Sequence, residues 1–376
     1  MIKQLPVTSS DDSTSYAIDI TQYDTHGLCS NYTLRRHNHE SISNVGTHQA
    51  HEDWQQRIGR INPSQFGGAN PRNGNFTALV LPLIKPERVQ LTAYVLEYAF
   101  LYDNVVELQR GRGKDKNNGD CKRKDIHLGD PRLGMKKMQA DILDQLNAIN
   151  SVGTRRVERV WKEMVATTMR EQDKCFGSLK EYVDFRIVDA GALFVEAMML
   201  WGMDMELTPD EDERLAPIVK PCYAALGLAN DYFSFDWEYA EFKYQTAAYI
   251  TSCSLREDAD TFTNSVWLMM RWTNTDIVGA KDIIRGATAE YEAEFLTRCD
   301  GFLQGLGQGE VDEKLKIYLR ALQYQVPGNM VWSVNCPRYH PAFRYDANAG
   351  LEDMLTEKYR EDAVQPSSAY RATKEV

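Results

Sequence analysis

Residues 91–109, LTAYVLEYAFLYDNVVELQ, run without a proline or a glycine and carry more apolar bulk than a surface helix needs. Such a stretch reads as a helix that other helices must cover on most of its sides. Helical patterns recur over 132–149, 152–174, 176–202 and 210–228, and again over 261–272, 275–306 and 311–326, where Pro327 and Gly328 are expected to end the run. The expected fold class is therefore all-α. With 376 residues, 43% of them hydrophobic, the chain can bury a large helical core. Residues 1–60 are polar and read as a partly helical or flexible N-terminal segment, ahead of a main domain over 61–345 and a tail or interdomain linker over 346–376. Pro63 to Asn75 reads as a loop, with Phe76 to Ile84 opening the next apolar element.

Chemistry concentrates at three places. In 228-LANDYFSFDWEY-239, Asn230, Ser234 and Glu238 recur every fourth residue, so on a helix they stack along one face, roughly 6 Å apart. An amide oxygen, a hydroxyl and a carboxylate together suit a hard cation such as magnesium. Polar residues at this spacing often form only a wet face. Here Tyr232, Phe233, Phe235, Trp237 and Tyr239 crowd the same helix, which points the polar groups into an enclosed cavity.

Upstream, Asp103 and Glu107 share a face near the end of the 91–109 helix, where carboxylates oppose the helix dipole and are costly to bury bare. A solvated helix end is one reading. A divalent cation shared with the Asn-Ser-Glu face is the other, and magnesium bound this way is completed by water and substrate phosphate. The third place is 181-EYVDFRIVDAGALFVEAMML-200, where Arg186 lies among apolar neighbours and needs an anion. Its planar fork suits phosphate oxygens, and Asp189 one turn on either orients it or forms a purely structural ion pair with it.

Together, 103-DNVVE-107, Arg186 with Asp189, 230-NDYFSFDWE-238 and the Arg338–Tyr339 pair in 334-VNCPRYHP-341 resemble the class I terpene cyclases. The similarity is specifically to the cyclase domain of fungal bifunctional di- and sesterterpene synthases, of the fusicoccadiene synthase type. It covers four signatures in family order from 103 to 339. The resemblance implies a class I terpenoid synthase helical bundle that binds three Mg2+ ions with its diphosphate substrate through Asp103, Glu107, Asn230, Ser234 and Glu238. It further implies that Arg186 senses the diphosphate and Asp189 links it onward. The carbonyl of Ala190, or as a second choice that of Gly191, is the effector, and Arg338 and Tyr339 reach the diphosphate. Two positions depart from the pattern. Asn104 and Glu107 replace aspartates of the fuller DDxxD form, leaving Asp103 as the main ligand of that helix, and Trp237 stands where a lysine is common.

The implied reaction is ionisation of geranylgeranyl diphosphate and cyclisation of the carbocation to a polycyclic diterpene. Geranylfarnesyl diphosphate is the alternative substrate. A chain-elongating prenyltransferase is expected to show two aspartate-rich motifs, and only the asymmetric set is present; a non-catalytic helical diphosphate-binding module is the remaining alternative. Phe76, Phe100, Phe185, Trp267 and Trp332 are candidate aromatic walls for cationic intermediates.

A net charge of −11 argues against a nucleic-acid partner, so local arginines and magnesium must overcome the global field to hold an anionic substrate. The seven cysteines lack CxxC spacing and read as reduced thiols of a cytoplasmic protein. No long apolar segment calls for stable membrane insertion. His37, His39, His48 and His51 lack zinc-site spacing and are expected to be solvated. The basic stretch 110–125 carries +4 and reads as a solvated insertion, with closure over diphosphate as its functional alternative. A homo-oligomer and a covalently linked prenyltransferase domain in a longer parent chain are expectations of the resemblance alone.

Overall fold

A computed structural model describes residues 4–61, 66–111, 131–169, 176–250, 262–305, 310–348 and 350; the side chains at 106–111, 131, 168–169, 245–250 and 310–312 lie outside that description. Nearly all of the 110–125 stretch and of the expected tail therefore falls outside the described residues.

The N-terminal stretch enters the core with Leu28, Tyr32, Leu34 and Trp54 and with paired polar groups beside them. Helix α1 (Ser9–Thr14) opens with a capping box in which Thr8 and Asp11 satisfy each other's amides. It leads into an antiparallel hairpin of β1 (Ser15–Ile18) and β2 (Leu34–His37), in register Ser15 to His37. Arg35, only 1% exposed, is satisfied by Ser15 Oγ at 2.8 Å, Ser15 O at 2.6 Å and Asp12 Oδ1 at 2.6 Å. Helix α2 (Glu40–Arg57) then packs on α4 (Val89–Gly111), with Gly46 bare because a Cβ there would overlap the Gln90 carbonyl. Two histidines expected to be solvated are buried instead. His37 bonds the Ile84 carbonyl at 2.9 Å, and His51 meets Glu97 Oε1 at 2.6 Å.

Helix α4 is the buried rod its composition predicts, with Val89, Ala93, Tyr94, Val95, Tyr98 and Leu101 all covered. The short α3 (Phe76–Val80) precedes it, and α5 (Pro131–Ile149) and α6 (Ser151–Met169) follow. The single helix expected over 176–202 is two, α7 (Leu179–Asp189) and α8 (Ala192–Met203). Gly191 breaks it with a left-handed φ of +74°, a conformation that costs a residue with a Cβ. Helix α8 is apolar except at Glu196, which accepts from Arg156 Nη2 at 3.0 Å, and is correspondingly buried.

The 210–228 pattern and the Asn-Ser-Glu segment are one helix, α9 (Pro209–Ile250), despite Pro217 and Pro221 inside it. Pro221 has no amide to give the Pro217 carbonyl, and the Arg298 guanidinium donates to that carbonyl in its place. Helices α10 (Ser265–Thr273) and α11 (Ile277–Gln304) pack against α9. The last helix, α12 (Glu310–Ser333), does not stop at Pro327 and Gly328 as the sequence suggests. Gly328 lies against the α3 backbone, where a Cβ would overlap Leu79 O, so burial against α3 carries the helix past its proline. No helix among the described residues is long and apolar enough to cross a membrane.

Candidate active site

Helices α4, α6, α7, α8 and α9 surround a cavity of about 140 Å³ that opens to solvent at its mouth. Its apolar lining comes from Phe76, Leu96, Ala99, Phe100, Met164, Val165, Phe194 and Val195, and its polar lining from Asp103, Arg186, Asp189, Asn230, Glu238, Arg338 and Tyr339. Residues separated by more than 230 positions thus share one wall.

The polar groups on α7 and α9 are aimed by their helices. On α7, Arg186 and Asp189 are one turn apart and joined at 2.8 Å, Nη1 to Oδ2. Arg186 also donates from Nε to Asp231 Oδ1 at 2.9 Å and from Nη2 to Asn230 Oδ1 at 2.8 Å. Burial works against the guanidinium charge, but Asp231, Tyr182, Asp189 and Glu238 outweigh it and hold the group charged. Asp231 is fully buried; it accepts from Tyr182 OH at 2.6 Å and from the Ser265 amide at 2.9 Å.

The next turns of α9 complete the face. Asn230 Nδ2 donates to Tyr339 OH at 2.5 Å, while its Oδ1 keeps a second lone pair beyond the one Arg186 uses. Ser234 is buried, and its hydroxyl makes no well-formed hydrogen bond. It lies near enough to help hold Glu238, whose carboxyl is pushed up by burial and pulled back by Arg186, Asn264 and Ser234. Asn264 Nδ2 fixes Glu238 Oε2 at 3.0 Å and also reaches the Asp231 carbonyl at 3.2 Å. Across the cavity, Arg338 donates to Asp103 Oδ2 and to Asn104 Oδ1, each at 2.7 Å, and to the Phe66 carbonyl at 3.0 Å. Burial raises the Tyr339 hydroxyl above its usual range, so it stays a neutral donor.

A buried hydroxyl oxygen without a formed bond, an amide oxygen with a spare lone pair and a carboxylate at the cavity edge make a donor set that fits a hard divalent cation. Asp103 faces it from α4. Among the described residues no three His, Cys, Asp or Glu side chains converge as a metal cluster, consistent with a face built from an amide and a hydroxyl beside one carboxylate.

The family model for terpene synthase family 2, C-terminal metal binding, matches residues 95–294, a span that holds α7 and the Asn-Ser-Glu face of α9. The chain belongs to terpene synthase family 2. Variediene synthase of Aspergillus brasiliensis is 42% identical over 94% of this chain and 49% of its own, so the chain spans about half the length of that relative. Terpene cyclase ATR13 of Stachybotrys chlorohalonatus is 39% identical over 92% of this chain and 90% of its own. The wild-type cucumene synthase structure matches at a TM-score of 0.54 with 12% identity, covering 79% of this chain and 96% of that one. Aristolochene synthase from Penicillium roqueforti matches at 0.51 with 20% identity, covering 70% and 83%. Both structures support the class I terpenoid synthase fold, which is predominantly helical here with the small β1–β2 hairpin added.

Within this terpene synthase family 2 chain, Asp103, Arg186, Asp189, Ala190, Asn230, Glu238, Arg338 and Tyr339 line one cavity, with Ser234 behind them on α9. The side chain of Glu107 lies outside the described residues. Of the aromatic walls, Phe76 and Phe100 line the cavity and three others do not. Phe185 points away because α7 turns Arg186 and Asp189 inward, and it packs on Phe176 and Tyr182. Trp267 packs with Tyr239, Phe242 and Phe262. Trp332, 0% exposed, stands behind Phe76 and Phe100 with its indole N–H on the Gly68 carbonyl at 3.0 Å.

Two site residues escaped the sequence reading. Asp231 sits inside the quoted motif but off its four-residue spacing. Asn264 caps α10 by accepting from the Val266 amide at 2.9 Å, and Asn-Ser ahead of an apolar run was a legible cap signal.

Proposed function

We propose that the chain is a magnesium-dependent class I terpene cyclase that ionises a prenyl diphosphate, geranylgeranyl diphosphate in the first instance, and closes the carbocation into a polycyclic diterpene. One observation carries the reading: arginines from α7 and from the segment after α12 share a mouth with Asn230 and Glu238 of α9 and Asp103 of α4, above apolar walls. Relatives named as a bifunctional type I diterpene synthase, from Aspergillus flavipes, and as a bifunctional sesterterpene synthase, from Talaromyces wortmannii, are 29% and 30% identical. They keep geranylfarnesyl diphosphate as the alternative substrate.

Asp103, Asn230, Ser234 and Glu238 would hold magnesium, which when bound neutralises the diphosphate and makes it a better leaving group. Arg186 and Arg338 bind diphosphate oxygens through their planar forks, and Tyr339 donates its hydroxyl proton to one of them. These contacts strengthen as the carbon–oxygen bond breaks and negative charge gathers on the departing group. Asp189 and Asp231 hold Arg186 in place meanwhile.

The cation is left among Leu96, Ala99, Met164, Val165, Phe194 and Val195, which exclude water. The faces of Phe76 and Phe100 stabilise it without trapping it covalently. The α7–α8 break presents the negative end of α7 to the cavity. The Gly191 carbonyl there is already taken by the amides of Phe194 and Val195, which favours Ala190 as the effector carbonyl.

The test is incubation with C15, C20 and C25 prenyl diphosphates plus magnesium, followed by hydrocarbon analysis. Cyclic C20 products are expected. Cyclic C25 products alone transfer the assignment to the sesterterpene reading, and no hydrocarbon from any substrate refutes the cyclase reading. Arg186→Ala and Asn230→Ala are each expected to lower turnover at least about a hundredfold in folded protein.

A further inference from the structure

Glu97 lies on α4 with its side chain 0% exposed, two turns before Asp103, and does not line the cavity. An isolated carboxylate is not buried without partners. Here both oxygens are used: Oε1 meets His51 Nε2 of α2 at 2.6 Å, and Oε2 accepts the amide of Gly68. The segment it grips is glycine by necessity, since a Cβ at Gly67 would overlap the Glu97 carboxylate.

That segment is the rear support of the proposed diphosphate site. The Phe66 carbonyl accepts Arg338 Nη1 at 3.0 Å. The Gly68 carbonyl accepts the Trp332 indole N–H at 3.0 Å, and the Trp332 ring meets Tyr339 edge-on at 5.6 Å. Two carbonyls two residues apart therefore position the two residues that reach the diphosphate, and one buried carboxylate anchors the backbone between them.

We propose that Glu97, braced by His51, is a positioning residue for Arg338 and Tyr339, acting through residues 66–68. The proposal rests on the reading of Arg338 and Tyr339 as diphosphate-binding groups. Glu97 touches no substrate; its removal lets the segment drift, and Arg338 loses the carbonyl that aims it.

Glu97→Ala removes both contacts, whereas Glu97→Gln keeps an oxygen for the Gly68 amide and turns its NH2 to His51 Nε2, which accepts once the imidazole carries its proton on Nδ1. In folded protein with magnesium, Glu97→Ala is expected to raise the dissociation constant for inorganic diphosphate, and the KM for a prenyl diphosphate, about tenfold, the worth of one misaligned charge-assisted hydrogen bond. Glu97→Gln is expected to recover most of this, and kcat to fall less than KM rises. A crystal structure of Glu97→Ala is expected to show Arg338 off the Phe66 carbonyl. Where Glu97→Ala does not fold, Glu97→Asp serves, keeping the charge beside His51 while falling one methylene short of Gly68, with the same direction of change. A variant with a lowered melting temperature but parental diphosphate constants, and with Arg338 still on Phe66, overturns the proposal. Displacement of Arg338 in a variant whose parent binds no diphosphate upholds the link from Glu97 to Arg338 and sinks the diphosphate reading instead.

Discussion

Replacing Asp231 with Asn keeps the shape of the side chain and removes the charge that the Arg186 guanidinium leans on most closely within α9. Asp231 Oδ1 accepts Arg186 Nε at 2.9 Å, and its Oδ2 accepts Tyr182 OH at 2.6 Å and the Ser265 amide at 2.9 Å. An asparagine has one acceptor end. Turned toward Arg186, it sets its NH2 against the Ser265 N–H; turned the other way, it sets NH2 against the guanidinium. Either orientation buries a donor facing a donor and leaves Asp189, at 2.8 Å, as the nearer anion for Arg186. Breaking a buried ion pair from one side costs roughly 3–5 kcal/mol, and the surviving Asp189 contact places this case at the lower end, about 3 kcal/mol. With an unfolding entropy of about 2.1 cal/mol/K for each of 376 residues, or roughly 0.8 kcal/mol/K, the melting temperature should fall by about 4 °C. The loosened guanidinium should also raise KM for a prenyl diphosphate about tenfold. Calorimetry and steady-state kinetics on Asp231→Asn read both effects. A melting temperature within about 1 °C of the parent, together with an unchanged KM, would refute the role given to Asp231.

Three further outcomes follow from the structure. Phe100→Leu removes a cavity-lining ring and should change the distribution of cyclic products, whereas Trp267→Phe, off the cavity, should leave it unaltered; product analysis showing the reverse refutes the wall assignment. Burial pushes the Glu292 carboxyl above its ordinary value of 4.5, against the bonds it accepts from Cys29, so the folded protein holds this proton more tightly than the unfolded chain. That stabilising contribution is full below the ordinary value and lost as pH rises through the raised one, so the parent should gain on Glu292→Gln as denaturation is moved from about pH 7 to about pH 5; a flat or opposite difference refutes it. Gly328→Ala drives a Cβ into the Leu79 carbonyl and should lower stability by about 1–3 kcal/mol, read as an earlier urea midpoint; an unchanged midpoint refutes the close approach of α12 to α3.

The helical class was legible because α4, α8 and the 221–235 stretch of α9 bury most of their circumference, which forces largely apolar sequence. What misled the sequence reading was backbone chemistry resolved by partners far away. Pro327 carries no sign of the α3 contact that lets α12 continue past it, and Gly191 looks like any small residue until its φ of +74° separates α7 from α8. The N-terminal stretch, polar in composition, is partly helical, and what composition does not show is how its polar groups are covered. Its buried polar groups, Arg35, His37 and His51, are satisfied by Ser15, Ile84 and Glu97, so low apolar content did not mean an exposed segment.

At the site, a shared helical face is legible in the sequence and contacts made between helices are not. Asn230, Ser234 and Glu238 announce themselves because four-residue spacing is a property of one helix. Asp231 turns off that face to meet α7 and α10, and Asn264 reaches back from the start of α10 to Glu238, so neither shows its contact with the site within its own segment. Of the aromatic walls, Phe76 and Phe100 line the cavity and Phe185, Trp267 and Trp332 do not. A ring's lining role depends on which rings stand in front of it, and Trp332 is screened from the cavity by Phe76 and Phe100, neighbours from more than 230 residues upstream. Asp189 is legible as the holder of Arg186 because both lie one turn apart on one helix, whereas Asp231 and Asn264, a charged and an amide group buried behind the residues that face the cavity, hold side chains of other helices, and only the assembled fold displays them.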